Sequence, residues 1–527
     1  MTSFEPSVEM HPQRWGDPAA AADLPDSARG LVELAFGLQD RPAVAGAVPP
    51  APTLDDALLD ELRVVVGLEH VRTDDEARVL RTRGKSTPDL LRARAGDLRD
   101  APDAVVRPRG HAEVGAVLAW ADRHRVAVVP FGGGTCVTGG LAARRDGFAG
   151  LVSLDLVRMK RLLAVDEVSM TATLEPGLRG PEAEALLAEH GLVLGHHPQS
   201  FEHASVGGFA ATRSSGQSSA GYGRFDAMVV GLTAATPTGS LDLGSSPANA
   251  AGPDLRQLLL GSEGAFAVIT SVTVRVRRLP EVTTYEGWRW PSFDAGADAM
   301  RTLAQSGLLP TVIRLSDESE TAINLADPSS IGGADDPGCL MITGYDGTPS
   351  QVASRQAAVT AVLTDLGGTP LGTEPGERWV QGRYHAPYLR DSLLDHGVLV
   401  ETLETATFWS NRGRLYDDVR AALQSALGEG ALVLCHVSHV YETGCSLYFT
   451  VAARQGEDPV AQWQVAKAAA SDAMIAAGAT ITHHHAVGTD HKPWFAQEIG
   501  EVGVRILRAV KAELDPSGIL NPGVLIP

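Results

Sequence analysis

Apolar positions along this chain change period several times, and the changes mark its elements. HAEVGAVLAWADRHR places Val114, Val117, Leu118 and Ala121 at helical spacing. The runs VAVVP and LVSLDL then read as strands. SMTATLEPG alternates Met170, Ala172 and Leu174, the period of a half-buried strand. GPEAEALLAEHG carries Pro181 at its start and Gly191 at its end, the expected punctuation of a helix. VITSVTVRVRRLP closes the region with Val272, Val274 and Val276 on one face. Residues 100–280 therefore read as one α+β domain.

The flanking segments differ in texture. Residues 1–99 form a helical preface, broken at AVPPAPT, with DDALLDELRVVV, DEARVLRTRG and TPDLLRARAG as its helices. Residues 281–475 mix the strands TVIRLSD and CLMITGYDG with the helix SRQAAVTAVLTDLGG and a hairpin, ALVLCHVSHVYETGCSLYFTVAA. Around residues 476–527 the chain runs from the helix VAKAAASDAMIAAG through THHHAVG to the helix VGVRILRAVKAEL and the ending LDPSGILNPGVLIP. A chain of 527 residues is long enough for two or more such domains.

Composition narrows the functional classes. Hydrophobic residues at 44% against 20% charged ones describe a globular protein. The net charge of −20, without a basic stripe, argues against a nucleic-acid partner and against general attraction to anionic lipid. The four cysteines include no CxxC pair, so reduced thiols are expected. The opening residues lack the pattern of a secretory leader, and no apolar run reaches the length of a spanning helix. Cytoplasm is the default location.

The candidate chemistry starts at PFGGGTCVTGG. A strand running into consecutive glycines exposes several backbone N–H groups with no side chains in the way, which suits a pyrophosphate. GGGT has neither the spacing of a Rossmann turn nor the lysine of a P-loop. Two more small-residue loops follow, HHPQSFEHASVGGFAATRSSGQSSAGYG and GSEGAFAVIT. Together they fit a long dinucleotide threaded between two subdomains.

In this order and spacing the three loops resemble the FAD-binding (PCMH-type) domain of the vanillyl-alcohol-oxidase flavoproteins. The resemblance implies a two-subdomain FAD-binding domain followed by an α/β substrate (cap) domain. The implied FAD segments are Pro130, Phe131, Gly132, Gly133, Gly134, Thr135 and Cys136; then Pro198, Gln199, Ser200, Phe201, Glu202, His203, Ala204 and Ser205; then Gly207, Gly208, Thr212, Arg213, Ser214 and Ser215; and last Glu263, Gly264, Ala265, Phe266, Ala267, Val268 and Ile269. Some relatives tether FAD through a residue beside the glycine loop. Cys136 lies there, but its expected role is that of a small buried residue, which makes the flavin non-covalent.

Within that group the chain is most similar to the alkyldihydroxyacetonephosphate synthase family of ether-lipid enzymes. RWGDP, RTRGKSTPDLL, GHHPQS, VIRL, PYLRD, ETLETATFW, SLYF and THHHAVG carry the likeness. On pattern alone Tyr448, in CSLYFTV, is a core tyrosine with its hydroxyl at an edge. The resemblance makes it the general acid/base. Such a phenol needs nearby positive charge to act near neutral pH, and His483, His484 and His485 are the expected source. In an extended chain His483 and His485 would share one face and His484 the other. A zinc site on His436 and His439 is disfavoured, because a separation of three on a strand points two rings to opposite faces, and no metal is assigned.

Arg314 and Arg390 match the positions that the family uses around its acyl-phosphate substrate, and His196 matches a histidine near the flavin. The implied reaction exchanges the acyl chain of acyl-dihydroxyacetonephosphate for a fatty alcohol, with FAD as covalent catalyst and no net oxidation. The family pattern is broken at His197, Gln199, QSSAG and TDHK, where acidic and basic residues are replaced and only Lys492 remains of a basic run. The ending DPSGILNPG is closer to FAD-linked hydroxy-acid dehydrogenases, so an FAD-linked oxidase or dehydrogenase of a hydroxy acid or alcohol is the alternative. A lipid-like substrate would make peripheral membrane contact useful, with the helical preface as the candidate element. The assembly is left open, a homodimer among the options.

Overall fold

The continuous apolar runs before and after the first glycine loop become adjacent parallel strands. In the computed structural model, which describes residues 8–527 apart from 22, 143 and 324–337, four strands form the first sheet. They are β1 (Val71–Arg72), β2 (Ala104–Val106), β3 (Val126–Phe131) and β4 (Gly150–Asp155), in the order β1-β2-β4-β3. Both β2 and β3 pair parallel with β4. Strands covered on both faces lose the polar alternation, as β4, buried throughout, illustrates. The helix His111–His124 crosses from β2 to β3 and buries Val114, Val117, Leu118 and Ala121.

A second sheet holds β5 (Leu162–Asp166), β6 (Thr171–Leu174), β8 (Val229–Thr236), β9 (Gly239–Leu243) and β10 (Val268–Arg275), in the order β5-β6-β10-β8-β9. All its pairings are antiparallel. A short ribbon joins β7 (Leu192–Val193) to β11 (Arg277–Arg278). Met170 departs from the expected alternation. The Asp166 side chain accepts the N–H groups of Val168 and Ser169, and the turn they close puts Met170 at φ 54° before β6 starts.

The third sheet is antiparallel and has seven strands. These are β12 (Val282–Trp290), β13 (Val312–Ser316), β14 (Cys339–Gly347), β15 (Thr369–Gly372), β16 (Val398–Phe408), β17 (Leu432–Val437) and β18 (Gly444–Arg454), in the order β15-β12-β14-β13-β17-β18-β16. Its two faces have different fates. Ile313, Leu315, Met341, Cys435, Leu447 and Phe449 point into a core shared with Trp288, Trp290 and Trp463. The alternate residues Arg314, Ile342, His436, Tyr448 and Thr450 line a large cavity. Strand period alone thus sorts these residues into core and site.

The terminal segments tie the sheets together. The expected helix DEARVLRTRG ends early, at Val79. Beyond it Arg81 and Arg83 turn inward, Arg81 to Asp155 and Glu9 and Arg83 to Asp100, and these buried pairs hold the chain off the helical path. Thr87 then reaches the third sheet, its hydroxyl donating to the Val400 carbonyl at 2.5 Å. At the other end the helix Lys492–Leu514 breaks at Gly500 (φ 68°, ψ 174°). After it, Leu520 bridges to Val128 of β3, and the Asn521 amide donates to the carbonyls of Gly140 (2.9 Å) and Glu263 (2.6 Å). The α+β architecture is the one expected from the pattern.

Asn521 is 2% exposed and satisfies two carbonyls from different glycine loops. Asn521→Ala is expected to destabilise the protein by about 2 kcal/mol or more, since both acceptors are left unpaired in the interior. Urea unfolding of the two proteins measures the difference, and a loss below about 0.5 kcal/mol would contradict this account of the junction.

Candidate active site

Between the glycine loops and the open face of the third sheet lies a cavity of about 800 Å³, large enough for a cofactor and substrate together. Its floor is Pro130–Cys136, Pro198–Ser200, Ala204, Ser205, Gly207, Gly208, Thr212, Ser214, Ser215, Glu263, Gly264, Ala267, Val268 and Ile269. Phe201, Glu202, His203, Arg213, Ala265 and Phe266, expected to touch FAD, stand behind this surface and are not among its lining residues. Arg213 instead takes φ 51° at the end of the helix Val206–Thr212 and donates to the Leu260 carbonyl.

Backbone approach in the first loop demands glycine. A Cβ on Gly132 would sit 2.2 Å from Ser205 Oγ, and one on Gly133 would sit 2.0 Å from the His203 carbonyl oxygen. The N–H groups of Gly133, Gly134 and Thr135 donate to no other described residue, so they are available to an anionic ligand. A cradle of unpaired amides, packed against a second small-residue loop and opening into a cavity of this size, fits FAD. Cys136 lines it as a buried thiol, pushed up to about 12 by burial and by the Glu263 carboxyl. Its sulfur accepts the Gly140 N–H at 3.0 Å.

Glu263 and Glu404 bring the histidine segment to this floor. Glu263 accepts the N–H groups of Val487 and Gly488 at 2.9–3.0 Å. Glu404, on β16 opposite Tyr448, accepts those of His483 (2.7 Å), His484 (3.1 Å) and His485 (2.9 Å), with the Thr482 hydroxyl at 2.5 Å. The triplet is therefore bent around one carboxylate and is not the extended chain expected from the sequence. Burial opposes ionisation of Glu404, but the histidines and Thr482 hold its carboxyl well below the usual range. Glu404 was missed in the sequence, although the conspicuous ETLETATF, a strand with two inward glutamates, contains it.

Tyr448 sits in the cavity wall with its ring stacked on His436 at 4.7 Å between centroids. His485 meets it edge-on at 5.5 Å and His484 lies at 6.1 Å. The expected positive charge is absent. Burial lowers the pKa of His483, His484 and His485, the last to about 3, and so keeps the imidazoles neutral. Burial likewise pushes Tyr448 up to about 12. Of the triplet, His484 and His485 reach the cavity, and His483 is buried behind them.

Strand β17 ends at Val437, so the chain turns and both His436 and His439 face the cavity, contrary to the opposite-face expectation. Ring nitrogens of His439, His483 and His484 lie within 4.8 Å of one another. The cluster is already engaged internally: His439 Nδ1 meets Ser215 Oγ at 3.2 Å, and His483 Nδ1 meets His484 Nδ1 at 3.0 Å.

Arginines supply the positive charge that the histidines do not. Arg314 reaches the cavity while paired with Glu320 and with both nitrogens of His436. Arg390 lines it too, anchored by the Lys85 carbonyl (2.8 Å) and by Asp391. Arg289, Arg378 and Arg383 join them, and none was singled out in the sequence. Lys492 is elsewhere, donating to the Gly523 carbonyl. His196 does not line the cavity. It is 1% exposed, wedged against Phe209 and Phe225, with Nε2 on Ser214 Oγ at 3.0 Å.

Comparison with known proteins gives a consistent result. Residues 102–243 match the family described as FAD binding domain, and residues 279–525 match FAD linked oxidases, C-terminal domain. The alkyldihydroxyacetonephosphate synthase of Trypanosoma brucei brucei is 34% identical over 91% of this chain and 82% of its own. That of Dictyostelium discoideum is 33% identical over 95% and 88%. A solved structure of an alkyldihydroxyacetonephosphate synthase superposes with a TM-score of 0.84 at 30% identity, covering 98% of each chain.

Burial lowers the His196 pKa to about 3, so below pH 6.5 the unfolded chain takes up a proton that the folded one refuses. Stability from this residue is full above that pH and is lost as pH falls toward 3. Between pH 6 and 4, wild-type unfolding free energy should fall more steeply than that of His196→Gln, by about 1.4 kcal/mol per pH unit. Parallel pH profiles from denaturant titrations would show that His196 is not the buried neutral group described.

Proposed function

This chain belongs to the alkyldihydroxyacetonephosphate synthase family of FAD-linked proteins, and we propose that it exchanges the acyl chain of acyl-dihydroxyacetonephosphate for the alkyl chain of a fatty alcohol. The observation that carries the reading is the seat of Tyr448. It stands among neutral imidazoles in a wall between the glycine cradle and the arginine-bearing, largely apolar remainder of one cavity.

FAD, when bound, supplies covalent catalysis in place of net oxidation, and the glycine loops with Ser205 and Glu263 are the residues that would hold it. Tyr448 serves as the proton carrier at the substrate carbon. With its hydroxyl pushed up to about 12 by burial, it rests as the neutral phenol. It therefore acts by passing its own proton to a neighbouring imidazole as it takes one from carbon, which avoids a free phenolate. Neutral histidines suit that role, because each can accept one proton.

Arg390 and Arg314, with Arg383 beside them, face the phosphate, whose oxygens match the guanidinium fork. Leu340, Ile342, Trp379, Pro387, Leu389 and Leu393 line the cavity with apolar surface, which suits the hydrocarbon chains and excludes water from the reacting carbon. Peripheral contact with a lipid surface is part of this proposal. Among the described residues no helix is long and apolar enough to cross a membrane.

Mixing the purified holoenzyme anaerobically with acyl-dihydroxyacetonephosphate and a fatty alcohol should release fatty acid and form the ether. Bleaching of the flavin by hydroxy acids, with turnover on an electron acceptor, would establish the oxidase alternative instead. Tyr448→Phe should lower the exchange rate by at least about a hundredfold while FAD remains bound; an active variant would remove Tyr448 from its role. Because the Cys136 thiol is buried and its pKa is pushed up to about 12, it is a poor nucleophile. Acid precipitation should leave the flavin in the supernatant, and a yellow pellet would overturn non-covalent binding.

A further inference from the structure

A hydrogen-bonded chain of three side chains leads from the molecular surface to the cavity. Tyr441, in the turn between β17 and β18, is 37% exposed. Its hydroxyl lies 2.5 Å from Nε2 of His483. His483 is 6% exposed, and its Nδ1 lies 3.0 Å from Nδ1 of His484. His484 lines the cavity beside Tyr448. Its Nε2 has no partner among the described residues, whereas its Nδ1 is shared between His483 and, at 3.5 Å, the Glu404 carboxylate.

Two nitrogens of the same kind facing each other at this distance carry one hydrogen between them, so the chain has two arrangements. In one, Tyr441 donates to His483, His483 donates to His484, and His484 carries its hydrogen on Nε2. In the other every donor is reversed and His484 Nε2 is bare. The second becomes the first when a proton arrives at His484 Nε2. His484 Nδ1–H then passes to His483 Nδ1, His483 Nε2–H passes to the Tyr441 oxygen, and the original Tyr441 hydrogen leaves to water.

We propose that Tyr441, His483 and His484 form a proton relay that carries the proton of the exchange reaction from the buried cavity to solvent. This rests on the reading given under Proposed function. In that reaction the bond from the substrate carbon to the ester oxygen breaks, and the fatty acid leaves as carboxylate with the bonding pair. The alcohol oxygen bonds to that carbon and sheds its hydrogen. Each turnover at neutral pH thus frees one proton inside a cavity walled by neutral groups.

The surroundings favour passage over storage. Arg224, ion-paired with Asp226, faces the Tyr441 end and disfavours a resting imidazolium at His483 or His484. Glu404 fixes both histidines through their backbone N–H groups, and the ring of His439 stacks on His483 at 5.0 Å. Tyr441 touches none of the reacting groups and acts through His483.

Exchange kinetics of the holoenzyme with acyl-dihydroxyacetonephosphate and hexadecanol, at low buffer concentration, test the relay. Tyr441→Phe should keep its FAD and its KM but lose about tenfold or more in kcat. Imidazole or another small buffer added to the assay should restore the rate, and the solvent deuterium effect on kcat should exceed that of wild type. His483→Gln should behave in the same way. An unchanged kcat in Tyr441→Phe, or a loss that no buffer relieves, would overturn the relay while wild-type turnover keeps the proposed function intact. Absence of wild-type exchange would overturn that function, and the relay with it.

Discussion

A single buried carboxylate organises the chemistry of this protein. Glu404 has no exposed surface of consequence, and burying it unpaired would cost several kcal/mol. Three consecutive backbone N–H groups and a threonine hydroxyl satisfy it. The arrangement resembles an anion-binding nest, with the anion supplied by the protein itself. Because the donors are backbone atoms of 483–485, satisfying Glu404 fixes the direction of all three imidazoles. Their rings cannot be reoriented without unpairing a buried charge.

Glu263 repeats the device one turn further along the chain. It accepts from Val487 and Gly488 while its own backbone carbonyl receives the Asn521 amide. Two carboxylates and one amide thus bind a single segment to β16 of the third sheet, to the third glycine loop and to the first sheet. Gly488 (φ 57°) must lie close to Thr138, whose carbonyl would be 1.8 Å from a Cβ there, so glycine is required. The cavity lies where these ties converge. Its two walls come from different sheets, and the histidine segment holds them in register.

Much of the scaffold could be read from residue patterns. The strands through Val126–Phe131, Gly150–Asp155, Cys339–Gly347 and Gly444–Arg454 follow from apolar period and turn residues. The glycine loops were visible because glycine there answers a backbone demand. What pattern could not give was anything set by long-range pairing. Met170 and Arg81 break their local periods because a turn and two buried ion pairs outweigh propensity. Glu404 looks like one acidic residue among several until the third sheet folds it against Thr482. The charge state of the histidines was likewise out of reach, since burial is a tertiary property. His196, three residues before the second loop's Gln199, falls behind the wall because Phe209 and Phe225 enclose it.

Neutral histidines change what the arginines mean. With every imidazole near Tyr448 held uncharged by burial, the positive field in the cavity comes from guanidinium groups that cannot lose it. Arg314 is half-committed to Glu320 and His436, while Arg390 is braced by the Lys85 carbonyl and Asp391. The division is functional: permanent charge is placed where an anionic group must be held, and neutral proton carriers where a proton must move. A charged imidazole beside Tyr448 would compete for the phosphate and could not accept a proton. Burial of the triplet around Glu404 therefore does more than hold geometry. It keeps recognition of the anion and transfer of the proton on separate side chains.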